Sequence, residues 1–79
     1  NFDFALYPNP STGTFIITGG NTVNKDYTVT VFDVMGHVVK QFSWKGEKTT
    51  IDLSGYAKGV YVVQVKDQKE ALLRKVILQ

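Results

Sequence analysis

The side chains able to do chemistry are few in this chain and stand far apart. His37 is the sole histidine, and there is no cysteine. A Cys–His nucleophile pair, a thiolate metal site and a multi-histidine zinc site are thereby excluded, since each needs groups the chain does not have. Serines stand at positions 11, 43 and 54, none of them in a Gly-x-Ser-x-Gly elbow. The carboxylates are scattered: Asp33 reads as a turn residue and Asp52 as a strand end. Asn21, Asn24 and Asp26 could share a loop, but their spacing is not that of an EF-hand calcium loop. No phosphate-cradling glycine motif opens a helix. Trp44, next to Lys45, could stack on a sugar or on another protein if its turn leaves it exposed; folded back over the neighbouring strand it would be core. Lysines and tyrosines are too dispersed for a nucleic-acid stacking platform. The expectation is a chain that is not an enzyme, holds no metal or cofactor and binds no nucleic acid.

What remains is architecture. At 79 residues, 43% hydrophobic and 13% aromatic, the chain can build one small core without disulfides, so residues 1–79 are read as a single domain. No apolar run approaches the ~20 residues of a membrane-spanning helix. The start, Asn-Phe-Asp-Phe, has neither a methionine nor a basic leader, and reads as a piece of a longer protein with residues 1–6 ending a linker or forming a first strand. Charge is uneven: residues 58–79 carry five cations against two acids, whereas the rest is nearly balanced. Lysines at strand edges discourage aggregation, and a basic surface can also dock an acidic partner.

Period-2 alternation dominates. It predicts strands over residues 2–6, 14–18, 27–33, 38–43, 49–53, 60–66 and 72–78. Tyr61, Val63 and Val65 share one face, as do Leu72, Val76 and Leu78; Leu73 and Ile77 take the opposite face. The pair Val38-Val39 leaves the buried face of its strand ambiguous. Seven short strands indicate an all-β fold, an antiparallel immunoglobulin-like sandwich. Asp33-Val34-Met35-Gly36 and Ser43-Trp44-Lys45-Gly46 both suit a type I turn closed by a left-handed glycine. Asp67-Gln68-Lys69 marks the last hairpin tip, and Gly19-Gly20-Asn21 begins a looser loop. Between residues 53 and 61, a glycine-bearing crossover leads to Tyr61, whose buried ring and backbone-bonded hydroxyl would form a tyrosine corner.

The stretch YPNPSTGTF, residues 7–15, is the most distinctive. Pro8 and Pro10 exclude helix and central strand. Asn9 is read as a turn starter that accepts the N–H two residues on, and Gly13 as a residue free to take positive φ. Together they predict a rigid link between the first two strands.

In order and spacing, YPNPSTGTF, VFDVMGHVV at 31–39, IDLSGYAKGVYVVQV at 51–65 and RKVILQ at 74–79 resemble the C-terminal sorting domain of the type IX (Por) secretion system. The resemblance runs from about Tyr7 to Gln79. It implies an immunoglobulin-like sandwich that directs a cargo from the periplasm across the outer membrane of a Gram-negative bacterium, to the cell surface or medium. It also implies a translocon and a sortase-like cysteine peptidase as partners, with attachment to anionic lipopolysaccharide after cleavage. Pro8, Asn9, Pro10, Gly13, Asp33, Gly36, Gly59 and Tyr61 fall on the family's structural motifs. Arg74, Lys75, Val76, Ile77 and Leu78 fall on the terminal element read by the export apparatus. His37, Tyr56 and Gln79 depart mildly from the family pattern. An edge position for the last strand would let a receptor add a strand to it, with Arg74 and Lys75 giving charge selectivity and Val76, Ile77 and Leu78 apolar anchorage. Exposed edges also leave room for a homodimer by strand exchange. The competing expectation is an immunoglobulin- or fibronectin-like accessory module that binds carbohydrate or protein through Trp44 and the tyrosines.

Overall fold

The computed structural model describes residues 3–19 and 25–79. Seven strands form: β1 (Phe4–Tyr7), β2 (Thr14–Gly19), β3 (Tyr27–Phe32), β4 (Val38–Trp44), β5 (Thr49–Asp52), β6 (Gly59–Lys66) and β7 (Ala71–Leu78). They make two antiparallel sheets, β1-β2-β5 and β4-β3-β6-β7, packed as the expected immunoglobulin-like sandwich. Asn1, Phe2 and the 20–24 part of the predicted loop, with Asn21 and Asn24, lie outside the described residues.

Alternation explains the core. Phe15, Ile17 and Ile51 face inward from the first sheet and meet Val29, Val31, Val63, Val65 and Val76 from the second. β-Branched residues dominate because they fit a pleated, half-buried surface at little rotamer cost. A bulge settles the Val38-Val39 ambiguity: Val31 pairs with Lys40 and Phe32 with Val38, leaving Val39 as the extra residue. Val39 packs on the core while Val38 turns to solvent. The hydroxyl of Tyr56 donates to the Val39 carbonyl at 2.9 Å.

The Asp33 turn forms as read. Gly36 takes φ +86° and its N–H donates to the Asp33 carbonyl, while Asp33 N–H donates to His37. The second turn differs. β4 continues through Trp44, the left-handed residue is Gly46 at φ +91°, and the chain then leaves the sheet to pair β5 with β2. The segment is a crossover between sheets. Trp44 is 1% exposed, stacked obliquely on Tyr27 with ring centres 5.7 Å apart, and its indole N–H donates to the Glu47 carbonyl. Of the two readings of Trp44, the ring folded back over the neighbouring strand is the one found, and stacking on a sugar or partner falls because the ring has no free face.

The tyrosine corner is present. Tyr61 is buried and its hydroxyl donates to the Ala57 carbonyl, pinning the β5–β6 crossover. Gly59, two residues earlier, sits at φ +145°, with nothing within 4 Å of where a Cβ would stand. Its requirement is conformational. Gly59→Val is expected to cost about 1–3 kcal/mol of backbone strain, lowering the melting temperature by about 4–8 °C per kcal/mol in a domain of this size. Thermal denaturation followed by circular dichroism checks this.

Candidate functional site

β7 is an edge strand, as anticipated, and its alternation divides the five tail residues between two environments. Val76 and Leu78 are buried in the core. As core residues they cannot anchor a receptor on the folded domain, which corrects part of the sequence reading. Arg74 shares their face at the rim. Its guanidinium lies 4.9 Å from the centre of the Phe4 ring and 2.7 Å from the Asp3 carboxylate, so it bridges β7 to the start of the first sheet. Lys75 and Ile77 point outward with Leu73, a residue the sequence reading placed on that face without giving it a role.

The outer edge of β7 is not open along its length. The Asn9 side-chain amide donates to the Lys75 carbonyl at 3.1 Å and accepts from the Ile77 N–H at 3.0 Å. It therefore stands where a neighbouring strand's peptide group would stand. Ser11 continues the pairing with its backbone: its N–H donates to the Ile77 carbonyl at 2.9 Å, and its carbonyl accepts from the Gln79 N–H at 2.8 Å. Ser11 and Leu78 thus form a parallel bridge. Four hydrogen bonds close the edge over residues 75–79, and the Arg74 guanidinium reaches the Leu73 carbonyl.

This overturns the Asx-turn reading of Asn9, whose partners lie 66 and 68 residues away. Strand addition and strand exchange meet the same obstacle: the groups they would need at 75–79 are already paired within the chain. The loop is itself braced. Ser11 is buried, and its hydroxyl donates to the Thr14 carbonyl and accepts from the Gly13 N–H. Tyr7–Pro8 and Asn9–Pro10 are both cis. Gly13 does not use positive φ; a Cβ there would stand 3.3 Å from the Ser54 Cβ, and its carbonyl accepts from the Leu53 N–H. Close approach of the β5–β6 crossover, and not backbone conformation, is what favours a small residue there.

The remaining motif residues do structural work. Asp33 accepts from the N–H groups of Met35 and His37, and its carboxylate lies 3.4 Å from the His37 ring nitrogen Nδ1. The His37 N–H bond is the main cause that holds the Asp33 carboxyl below its ordinary value of 3.8, helped by Met35. Asp52 and Asp67 are lowered in the same way by the N–H groups of Ser54 and of Glu70 and Lys69. Asp26 is engaged by Lys45 at 2.6 Å. Among the described residues no three His, Asp or Glu side chains gather as a metal site would need.

The described residues thus make a small seven-stranded sandwich whose last strand is strapped by a proline-rich loop. Residues 5–79 match the family described as the secretion system C-terminal sorting domain. The chain belongs to that family and is a sorting signal of type IX secretion, carried by exported proteins. It is similar to beta-agarase A of Zobellia galactanivorans, 32% identical over 69 residues that make up 86% of this chain. It is also similar to an endo-acting ulvan lyase of Formosa agariphila, 30% identical over 77 residues, or 96% of the chain. The chain spans only 12% and 14% of the lengths of these two curated relatives.

Two measurements check the site. Asn9→Ala is expected to cost about 1–2 kcal/mol, because the two freed groups return to water. Amide exchange should accelerate at Ile77 while Val76, whose N–H turns toward β6, stays protected. The lowered carboxyls give a second test. Their contribution to stability is complete above the ordinary carboxylate value near 3.8 and is lost as pH falls through their folded values. The melting temperature should therefore be flat near neutrality and fall below about pH 4, with a smaller fall in Asp33→Asn.

Proposed function

We propose that the sorting element is the folded C-terminal strand, displayed in one fixed conformation by Asn9 and Ser11. The clasp is the observation that carries this reading: four bonds hold residues 75–79 to the loop between β1 and β2. In this reading Lys75 and Ile77 are presented to the export translocon. Val76 and Leu78 act from inside the domain and Arg74 from its rim, setting the strand's position. Pro8, Asn9, Pro10 and Gly13 build the clasp, while Asp33, Gly36, Gly59 and Tyr61 shape the turns and crossover beside it. The domain is non-catalytic and uses no cofactor. Whatever precedes it in a longer protein is the cargo, and removal by a sortase-like cysteine peptidase with transfer to anionic lipopolysaccharide would follow translocation. The accessory-module reading loses its Trp44 contact with the burial of that ring and is left with the exposed Tyr7 and Tyr56.

A fluorescent reporter carrying residues 1–79 at its C-terminus, expressed in a bacterium with the secretion system, tests this. Removing residues 74–79 should leave the reporter in the periplasm. Because that deletion also removes core residues, Asn9→Ala is compared with Ile51→Val, a core change of similar cost, about 0.5–1.5 kcal/mol. Export should fall with Asn9→Ala and persist with Ile51→Val; equal export of the two would refute a presenting role for the clasp.

A further inference from the structure

The outer face of the second sheet is not the face of an ordinary solvated sandwich. Solvated faces of antiparallel sheets carry polar side chains at alternate positions. The outer positions of β2 and β5 comply, with Thr14, Thr18, Thr50 and Asp52 around Ile16. On the four-stranded sheet the half next to the Asp33 turn does not comply. Phe32 sits between Val38 and Val62, Val62 pairs with Lys75, and Val60 pairs with Ile77. Val38 and Leu73 are 56% and 58% exposed, and Ile77 is 40% exposed. Beyond them the face turns polar, with Gln64 opposite both Thr30 and Leu73, and a Gln41–Thr30 side-chain bond at 2.9 Å. An apolar patch bordered by polar residues on the same face fits the anatomy of a protein interface.

Charge narrows the occupant. Among the outward-facing strand positions of this sheet the charged residues are Lys66 and Lys75, both cations. Lys75 stands inside the apolar rows, across from Val62. A second copy stacked face to face would set cations against cations. A polyanionic membrane or glycolipid surface is held by clusters of about four to eight basic residues, more than this face offers. We infer that the outer face of β4-β3-β6-β7, centred on Val62, Lys75 and Ile77, docks a protein partner whose contact patch is apolar and places a carboxylate against Lys75. The inference deepens the proposed function and rests on it in assigning this docking to export. It widens the recognised element from a tail to a sheet face, to which β3, β4 and β6 contribute as much as β7.

The test uses the same reporter fused to residues 1–79. Lys75→Glu and Leu73→Glu reverse or insert charge at exposed positions, and Thr50→Glu does so on the opposite sheet. The first two are expected to lose most of the exported reporter while the melting temperature of the 79-residue chain holds; Thr50→Glu should export normally. A photo-crosslinking residue at position 73 should give an adduct with a protein other than the reporter, and the adduct should disappear with Lys75→Glu. Normal export of Lys75→Glu and Leu73→Glu overturns the inference, and so do adducts formed solely with a second copy or with lipopolysaccharide, or no adduct. If the variants export normally while removal of 74–79 blocks export, the sheet face is wrong and the tail reading stands. If the truncated reporter is exported, the tail reading fails first.

Discussion

A β-sheet edge cannot be left bare, and the way each edge is closed organises this domain. Four strands lie at edges. β1 and β5 are only four residues long and offer little to pair with. β4 is kinked by its bulge, with the Tyr56 hydroxyl on the carbonyl of the extra residue. β7 is eight residues long and carries the largest hazard, and it receives the most elaborate closure. Asn9 supplies a side-chain amide in place of a peptide, and Ser11 supplies a true peptide one step further on. The prolines on either side of Asn9 donate no N–H, so the loop itself presents few backbone donors to a stray strand.

Closing that edge assigns work along β7 by parity. Inward residues seal the sandwich: Val76 and Leu78 in the core, Arg74 at the mouth between Asp3 and the Phe4 ring. Outward residues meet solvent beside Phe32, Val60 and Val62. With its outer backbone taken over residues 75–79, that half of the strand has side chains left for recognition, and the relevant neighbours are those across the sheet.

Much of this was legible in the residues because alternation is a local signal. Tyr27, Val29, Val31 and Tyr61, Val63, Val65 announce buried faces whatever the tertiary context, and Asp33 with Gly36 encodes its turn within four residues. The failures have a common cause. Asn9 and Gly13 read as local turn residues, whereas their environments are set by distant segments, β7 and Ser54. Ser43 and Gly46 imitate a hairpin turn around Trp44, while pairing with Tyr27 draws the strand one residue further. Leu73 and Ile77 were correctly put on one face, but alternation alone does not say which neighbours share it.

The parallel bridge between Ser11 and Leu78 joins segments from opposite ends of the sequence. A chain that emerges N-terminus first makes the proline loop early and its partner strand last among the seven. Until β7 arrives, β6 lacks its outer neighbour, the core lacks Val76 and Leu78, and Asn9 has nothing to hold. The surface around Val62, Lys75 and Ile77 therefore exists only once β7 has been added to β6 and Asn9 has closed on it.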